Sequence, residues 1–191
     1  ISMLDCQISM LNYMATMHFL SEEDPYPIGN SHFVHVPYNT FRCSDGSIVI
    51  AVITDNFWTN LKGVLNCADF ENSKYDTQPG RWEDRDMINA RLNELLSFNS
   101  CAYWLALFEA QRIPCAPVNT LGEALAVTQV LHRNKVVDLK HPNGNSTKGP
   151  GNPIKLSRSS DEVFTAAPTL GQHTDEVMTQ LLNLSVKQIQ Q

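Results

Sequence analysis

Residues 41–53 read Phe-Arg-Cys-Ser-Asp-Gly-Ser-Ile-Val-Ile-Ala-Val-Ile and contain the clearest fold signal in the chain. Residues 44–46 are of the types that close tight turns, and an extended segment at 36–43 precedes them. The β-branched run at 47–53 is apolar at successive positions, a pattern typical of a strand buried on both faces. We therefore predict an antiparallel hairpin with a buried second strand.

Helical periodicity surrounds this hairpin on both sides. Apolar residues recur every three or four positions in several segments, and Ser, Asp or Thr stands at several of their starts, where a side-chain oxygen can cap the first turn. Thr120 and Glu123 also fit the capping-box pattern. The predicted helices cover residues 2–20, a segment capped by Asp55 and running to Leu65, 86–98, 101–111, a short helix from Leu121, and 173–182 with a last turn from Ser185.

The remaining segments complete the predicted organisation. Residues 135–139 and 153–156 resemble strands on either side of a turn region rich in Pro, Gly and Asn. The predicted class is α/β, with an α+β small domain in which helices surround an antiparallel hairpin. We predict a linker helix and hinge at 1–29, the small domain at 30–135, and a C-terminal return segment with a terminal helix at 136–191.

Composition and charge disfavour a nucleic-acid-binding protein and a membrane-spanning one. The chain has 191 residues, 14 Lys and Arg against 20 Asp and Glu, and a formal charge of −6. This charge disfavours a general nucleic-acid binder, which needs a basic surface to displace counterions. No apolar run approaches the roughly 20 residues of a membrane span, and no basic segment precedes an apolar one. We expect a cytoplasmic protein without nucleic-acid or membrane partners, and its five widely spaced cysteines to be reduced thiols.

Charge is unevenly distributed along the chain. Residues 133–158 hold six basic side chains and one acid, Asp138. Such a stretch is usually a solvent-exposed surface. The alternative is that it binds an anionic ligand or an acidic neighbouring domain.

Familiar catalytic and metal motifs are missing from the sequence. His32 and His35 are three residues apart, but no helix is predicted there and no Asp, Glu or Cys has matching ligand spacing. There is no Gly-x-Ser-x-Gly, phosphate-binding loop or dinucleotide-binding fingerprint. We therefore expect no metal site and no catalytic residue of these types.

Six motifs, in order along nearly the whole chain, resemble CoA-transferase family III. They are Ile-Ser-Met-Leu-Asp-Cys-Gln (1–7), Gly-Asn-Ser-His to Val-Pro-Tyr (29–38), Phe-Arg-Cys-Ser-Asp-Gly-Ser-Ile-Val-Ile-Ala-Val (41–52), Ile-Pro-Cys-Ala-Pro-Val-Asn (113–119), Gly-Asn-Pro-Ile-Lys-Leu-Ser (151–157) and Ala-Pro-Thr-Leu-Gly-Gln-His-Thr-Asp-Glu-Val (167–177). This family includes formyl-, carnitine- and succinyl-CoA transferases and the α-methylacyl-CoA racemases.

The resemblance implies that the chain matches the second half of a protein about twice as long. In the family a Rossmann-like large domain comes first and carries a nucleophilic aspartate, which attacks the thioester. Its counterpart is expected upstream of Ile1, so no catalytic residue is assigned within this chain. Asp5 matches a structural Leu-Asp helix motif and is not the nucleophile.

By the same resemblance, residues 29–38 correspond to the loop that covers the reacting thioester in transferases. The substrate-binding residues expected from it are Gly29, Asn30, His32, Pro37, Tyr38 and the more distant His173. His35 is a further candidate. Racemases tend to carry a glutamate just before the loop proline, where this chain has Val36, and proton transfer at an α-carbon needs a base within reach.

We therefore expect a CoA-transferase fragment whose parent moves CoA from an acyl-CoA to a carboxylic acid through an aspartyl intermediate. The CoA thioester is a substrate, no cofactor is expected to be bound covalently, and the resemblance implies a homodimer. This chain alone is expected to be inactive. Two alternatives stay open: a fragment of an α-methylacyl-CoA racemase, and a non-catalytic truncated module that binds a partner.

Overall fold

The structure, a computed structural model, describes residues 1–158 and 162–189 and shows a mixed α/β architecture, as predicted. The helices are α1 (Met3–Met10), α2 (Tyr13–Ser21), α3 (Asp55–Leu65), α4 (Gln78–Glu83), α5 (Arg85–Leu96), α6 (Cys101–Ala110), α7 (Leu121–Ala126), α8 (Thr128–His132), α9 (Thr174–Gln180) and α10 (Val186–Ile189), with 3₁₀ turns at Ala68–Phe70 and Ser73–Asp76. The strands are β1 (Tyr38–Arg42), β2 (Ser47–Ala51), β3 (Cys115–Pro117), β4 (Val136–Lys140) and β5 (Ser146–Pro150).

The chain divides into two compact units, Ile1–Val118 and Asn119–Gln191. Each unit contains one of the two antiparallel sheets. The domain boundaries drawn from the sequence, after residues 29 and 135, stay a prediction.

The first sheet confirms the hairpin predicted around residues 44–46. β1 and β2 pair with Phe41 opposite Ile48, and the Cys43 amide donates to the Gly46 carbonyl at 2.9 Å across the turn. β3 adds a third strand on the other side of β2, with Cys115 opposite Ile50. The sequence did not predict β3, because its prolines exclude a helix but do not by themselves indicate an edge strand.

Burial along β2 differs from the prediction of a strand buried on both faces. Ile48, Ile50 and Val52 are fully buried, whereas Val49 on the opposite face is half-buried and Ile53 is 49% exposed. Successive side chains point to opposite faces of a sheet. Only one face of β2 therefore lies in the core of the unit.

The N-terminal segment is also organised differently from the single helix predicted at residues 2–20. Asn12 has φ +48° and separates α1 from α2. That backbone conformation is unusual for a residue other than glycine and cannot continue a right-handed helix. Neither helix contains a buried residue.

The core of the first unit is built by the predicted amphipathic helices. Trp58 and Leu61 of α3, Leu92 of α5 and Phe108 of α6 are fully buried with Ile50. α5 and α6 each lie within about two residues of the predicted bounds. Side-chain caps begin several helices. Ser100 caps α6, and Thr54, rather than the predicted Asp55, caps α3.

The second unit contains a hairpin, the capped helix α7 and two terminal helices. The capping box of Thr120 and Glu123 is confirmed at α7. β4 confirms the strand predicted at 135–139, but the strand predicted at 153–156 is wrong, because its partner is β5. The turn between the two strands lies around Gly144, which has φ +90°, so the chain reverses early and pairs β4 with residues 146–150 instead of 153–156.

No helix in the described residues combines the length and apolar character needed to cross a membrane.

Candidate functional site

The loop that leads into β1 begins with a turn at Gly29. Gly29 has φ +65°, and the Ser31 amide donates to the Ile28 carbonyl at 3.4 Å. Gly29 and Asn30 are exposed at its tip. The Ser31 hydroxyl accepts from Asn39 Nδ2 at 2.9 Å, which joins the turn to β1. Two of the predicted site residues therefore lie at an accessible turn that is attached to the sheet.

His32 lies at the centre of an aromatic cluster. Its ring stacks on Tyr38 with centroids 4.9 Å apart and on Phe33 at 4.4 Å, and the His35 ring is 4.7 Å away. The His32 amide also donates to the Tyr38 carbonyl at 3.0 Å. The structure thus brings together His32 and Tyr38, two of the site residues predicted from the sequence.

The protonation of His32 follows from its contacts. Nδ1 accepts hydrogen bonds from the amides of Val34 at 2.9 Å and His35 at 3.2 Å, so this nitrogen carries no proton. Burial, followed by the nearby His35, lowers the pKa of His32 below its usual value of 6.5. At neutral pH the imidazole is therefore uncharged, with its proton on Nε2. It can donate one hydrogen bond to an oxygen of a ligand.

These contacts do not favour metal binding by the two histidines. His32 Nδ1 already accepts two amide protons, and His35 Nδ1 is buried without a hydrogen-bond partner. Within the described parts of the chain, no group of three His, Cys, Asp or Glu side chains is arranged to hold an ion.

Pro37 has a structural position. It is buried, and its carbonyl accepts from the Val52 amide at 2.8 Å. Val36 beside it is also buried in the core. The position that precedes the proline therefore offers an apolar side chain pointing into protein, with no base for proton transfer.

Arg81 anchors this loop, although no sequence motif predicts such a role for it. Its guanidinium is fully buried and donates to the carbonyls of Val36 at 2.8 Å and Tyr75 at 2.7 Å. It also donates to Asp55 Oδ1 and Gln78 Oε1. Gln78 in turn donates to the Val34 carbonyl. No motif marks a buried arginine, because the carbonyls that surround it belong to segments far apart in sequence.

The position of Arg81 depends on close packing between α4 and the 3₁₀ turn at Ser73–Asp76. At Gly80, the preceding residue of α4, an added Cβ would lie 1.9 Å from the Lys74 carbonyl oxygen. Only glycine permits this approach of α4 to the 3₁₀ turn at Ser73–Asp76.

A cleft of about 470 Å³, hereafter the α2 cleft, adjoins the loop in the same unit. It is bordered by α2, by the chain that follows α2, by the loop and by α4. Its lining residues are Tyr13, Met14, Met17, His18, Ser21, Glu23, Asp24, Pro25, Tyr26, Ile28, Ser31, Phe33 and Trp82.

His173 belongs to the second unit. It occupies the N-cap position of α9 without a side-chain capping bond, and its Nδ1 lies 3.1 Å from Glu176 Oε2 in the first turn of the helix. It lines a shallow depression of about 430 Å³ with Pro168 and Leu182. Its role in substrate binding stays a prediction, as do the roles of Gly29, Asn30, His32, Pro37 and Tyr38.

The basic stretch at 133–158 includes the β4–β5 hairpin. Lys155 pairs with Glu162, and Lys135 donates to the Asn152 carbonyl. Burial lowers the pKa of Lys135, and the positive charges of Lys155 and Arg133 add to this effect. Two of the six basic side chains of this stretch, Lys135 and Lys155, thus have polar partners within the second unit.

The chain is similar in sequence to known CoA-transferases. The model of CoA-transferase family III matches residues 1–174. The human succinyl-CoA:glutarate CoA-transferase is 28% identical over 95% of this chain and 42% of its own length. A formyl-CoA:oxalate CoA-transferase from Rhodopseudomonas palustris is 29% identical over 69% of this chain and 31% of its own. This chain thus spans less than half the length of these curated relatives.

Solved structures show the same partial coverage. A CAIB/BAIF family protein from Brucella suis superposes with a TM-score of 0.76 at 26% identity, over 93% of this chain and 46% of that one. The protein Rv3272 from M. tuberculosis, at 18% identity and a TM-score of 0.72, shows the same fold.

Proposed function

The chain belongs to CoA-transferase family III, and from this premise we propose that it is part of an enzyme that moves CoA from an acyl-CoA thioester to a carboxylic acid. The observation that carries the proposal is the family match over residues 1–174. The curated relatives named above support it, since each is named for CoA transfer between two acids.

The proposed chemistry uses an aspartate in a part of the protein that precedes Ile1. Its carboxylate attacks the thioester carbonyl, the carbon–sulfur bond breaks, and a mixed anhydride and CoA thiolate form. The thiolate then attacks the aspartyl carbonyl and releases the donor acid, which leaves an aspartyl-CoA thioester. The acceptor carboxylate reverses these two steps and departs as the new thioester.

The proposed contribution of this chain is to position the reacting groups. His32 is neutral and has its Nε2 proton available, so it can donate a hydrogen bond to a substrate oxygen without adding a charge. Tyr38 stacks on the imidazole and holds the ring plane. Arg81 and Gln78 hold the backbone of the same loop.

The test compares the chain of residues 1–191 with a longer protein in which the proposed aspartate-bearing part precedes Ile1. Both are incubated with succinyl-CoA and glutarate, oxalate or other acids, and the CoA esters are separated by chromatography. We expect transfer by the longer protein and none by the chain alone above a protein-free control. Turnover by the chain alone would contradict the proposed place of the nucleophile, and a longer protein inactive with every acid would contradict the function.

A pair of variants in the longer protein tests the role of the loop. We expect His32→Ala to lower the rate at least about tenfold, because the hydrogen-bond donor is lost. His132→Ala, at an exposed position on α8, is the control and should leave the rate unchanged. Equal rates for the two variants would contradict a role for His32.

A further inference from the structure

The lining of the α2 cleft is rich in aromatic and sulfur-containing side chains. Four aromatic side chains border it, Tyr13, Tyr26, Phe33 and Trp82, together with the flexible thioethers of Met14 and Met17. Its volume is within the usual range of small-molecule sites, which is roughly 300–1,000 Å³. The cleft is thus large enough for a small organic molecule.

The charge of the lining is negative. Glu23 and Asp24 are among the residues that border the cleft, and none of its thirteen lining residues is a lysine or arginine. The unit that contains it, residues 1–118, has seven Lys and Arg against fourteen Asp and Glu. A negative field concentrates cations and repels carboxylates.

The aromatic residues add attraction for a cation. The faces of aromatic rings carry partial negative charge, and they bind an organic cation that lies within about 6 Å of the ring centroid. Tyr13 and Phe33 are already close together, with centroids 5.6 Å apart. Trp82 has such a contact in the structure, because the Arg85 guanidinium lies 4.9 Å from its centroid, and Arg85 is not among the cleft residues.

The one basic group in the lining does not reverse this preference. His18 Nδ1 lies 3.1 Å from the Glu23 carbonyl and 3.2 Å from Asp24 Oδ1. The Asp24 carboxylate thus lies directly beside the His18 ring. The Glu23 carboxylate remains at the border of the cleft.

We propose that the α2 cleft is a binding site for a small organic cation, an ammonium group that carries apolar substituents. The substituents contact the methionines and aromatic rings, and the positive charge faces the rings and Glu23. A quaternary ammonium fits this lining better than a primary one, because it is weakly hydrated and fully substituted. The proposal does not depend on CoA transfer, and its test uses binding alone.

Calorimetry on the chain of residues 1–191 tests this site with three probes. Choline carries a quaternary ammonium, 3,3-dimethylbutanol is its neutral isostere with carbon in place of nitrogen, and glutarate is an acidic comparison. We expect choline to bind at least tenfold more tightly than the isostere, and glutarate not to bind. Equal binding of choline and the isostere would show an apolar site only, and absence of choline binding would exclude the site; either result overturns the proposal.

Variants locate the binding. Phe33→Leu and Tyr13→Leu should each weaken choline binding at least tenfold. Leucine keeps an apolar contact with the ligand but lacks the partial negative charge of an aromatic ring face. Glu23→Gln should weaken it severalfold. Tyr103→Leu replaces an exposed tyrosine on α6, away from the cleft lining, and should have no effect. Unchanged affinity in both aromatic variants, with circular dichroism showing a folded chain, would place any choline binding elsewhere.

Discussion

Arg81 shows how one side chain organises a segment that is distant in sequence. It is fully buried, and its four hydrogen bonds reach two carbonyl oxygens, a carboxylate and an amide. Its guanidinium also lies 5.4 Å from the Trp58 ring centroid. A planar fork of donors can satisfy such a set at once, which a lysine cannot do. The backbone before β1 is therefore held by a residue of α4.

Replacing this arginine should strongly destabilise the first unit. Arg81→Gln leaves the buried Val36 and Tyr75 carbonyls without their donor, and we expect a loss of about 3–5 kcal/mol in the free energy of unfolding. Arg91→Gln is the matched control. Arg91 pairs with Asp69 and Glu94 at a partly exposed position, and its loss should cost less than about 1 kcal/mol. Urea unfolding measures both, and equal losses would contradict the structural role of Arg81.

At the scale of elements, β2 is the centre of the first sheet. It pairs with β1 on one side and β3 on the other. Its alternate residues Ile48 and Ile50 enter the core, while Val49 lies on the half-buried face. Because the strand is hydrogen-bonded on both sides, its burial is decided by what covers each face of the sheet.

The two faces of β2 should respond differently to truncation. Ile50→Ala removes a fully buried side chain and should lower the free energy of unfolding by about 2–5 kcal/mol. Val49→Ala should lower it by less, since this side chain is already partly in contact with water. Chemical denaturation of both variants provides the measurement. A loss for Val49→Ala as large as that for Ile50→Ala would indicate that both faces are buried in solution.

At the scale of the whole molecule, the N-terminal helices leave much apolar surface uncovered. Met3, Leu4, Ile8 and Met10 of α1 are each more than half exposed, and so is Phe19 of α2. An unusual concentration of exposed apolar side chains is typical of an interaction site. A second copy of the chain can cover it, because a two-fold contact uses one self-complementary surface twice.

We therefore expect the chain to self-associate through α1 and α2. Light scattering should give a dimer for residues 1–191 and a monomer for residues 25–191. Leu4→Glu should also weaken the dimer, whereas Leu121→Glu, at an equally exposed position in the second unit, should not. A monomer for the complete 191 residues, or a dimer that persists after truncation, would contradict association through these helices.

Features that depend on a few neighbouring residues could be predicted from the sequence alone. The turn at 44–46 and the strands beside it follow from turn chemistry and from the β-branched run, and the capping box at α7 follows from Thr120 and Glu123, three residues apart. The ordered motifs were enough to identify the family, which the match over residues 1–174 confirms. The resemblance also predicted His32 and Tyr38 as site residues, and their rings are stacked in the structure.

Features that join distant segments became visible only in the folded chain. β3 pairs with β2 across more than sixty residues of chain, and Arg81 reaches Val36 across forty-five. The break at Asn12 and the α2 cleft likewise have no local motif. The physical reason is that burial and pairing are set by which side chains and backbone groups cover one another. Periodicity along a segment shows which face is apolar, but not what covers it.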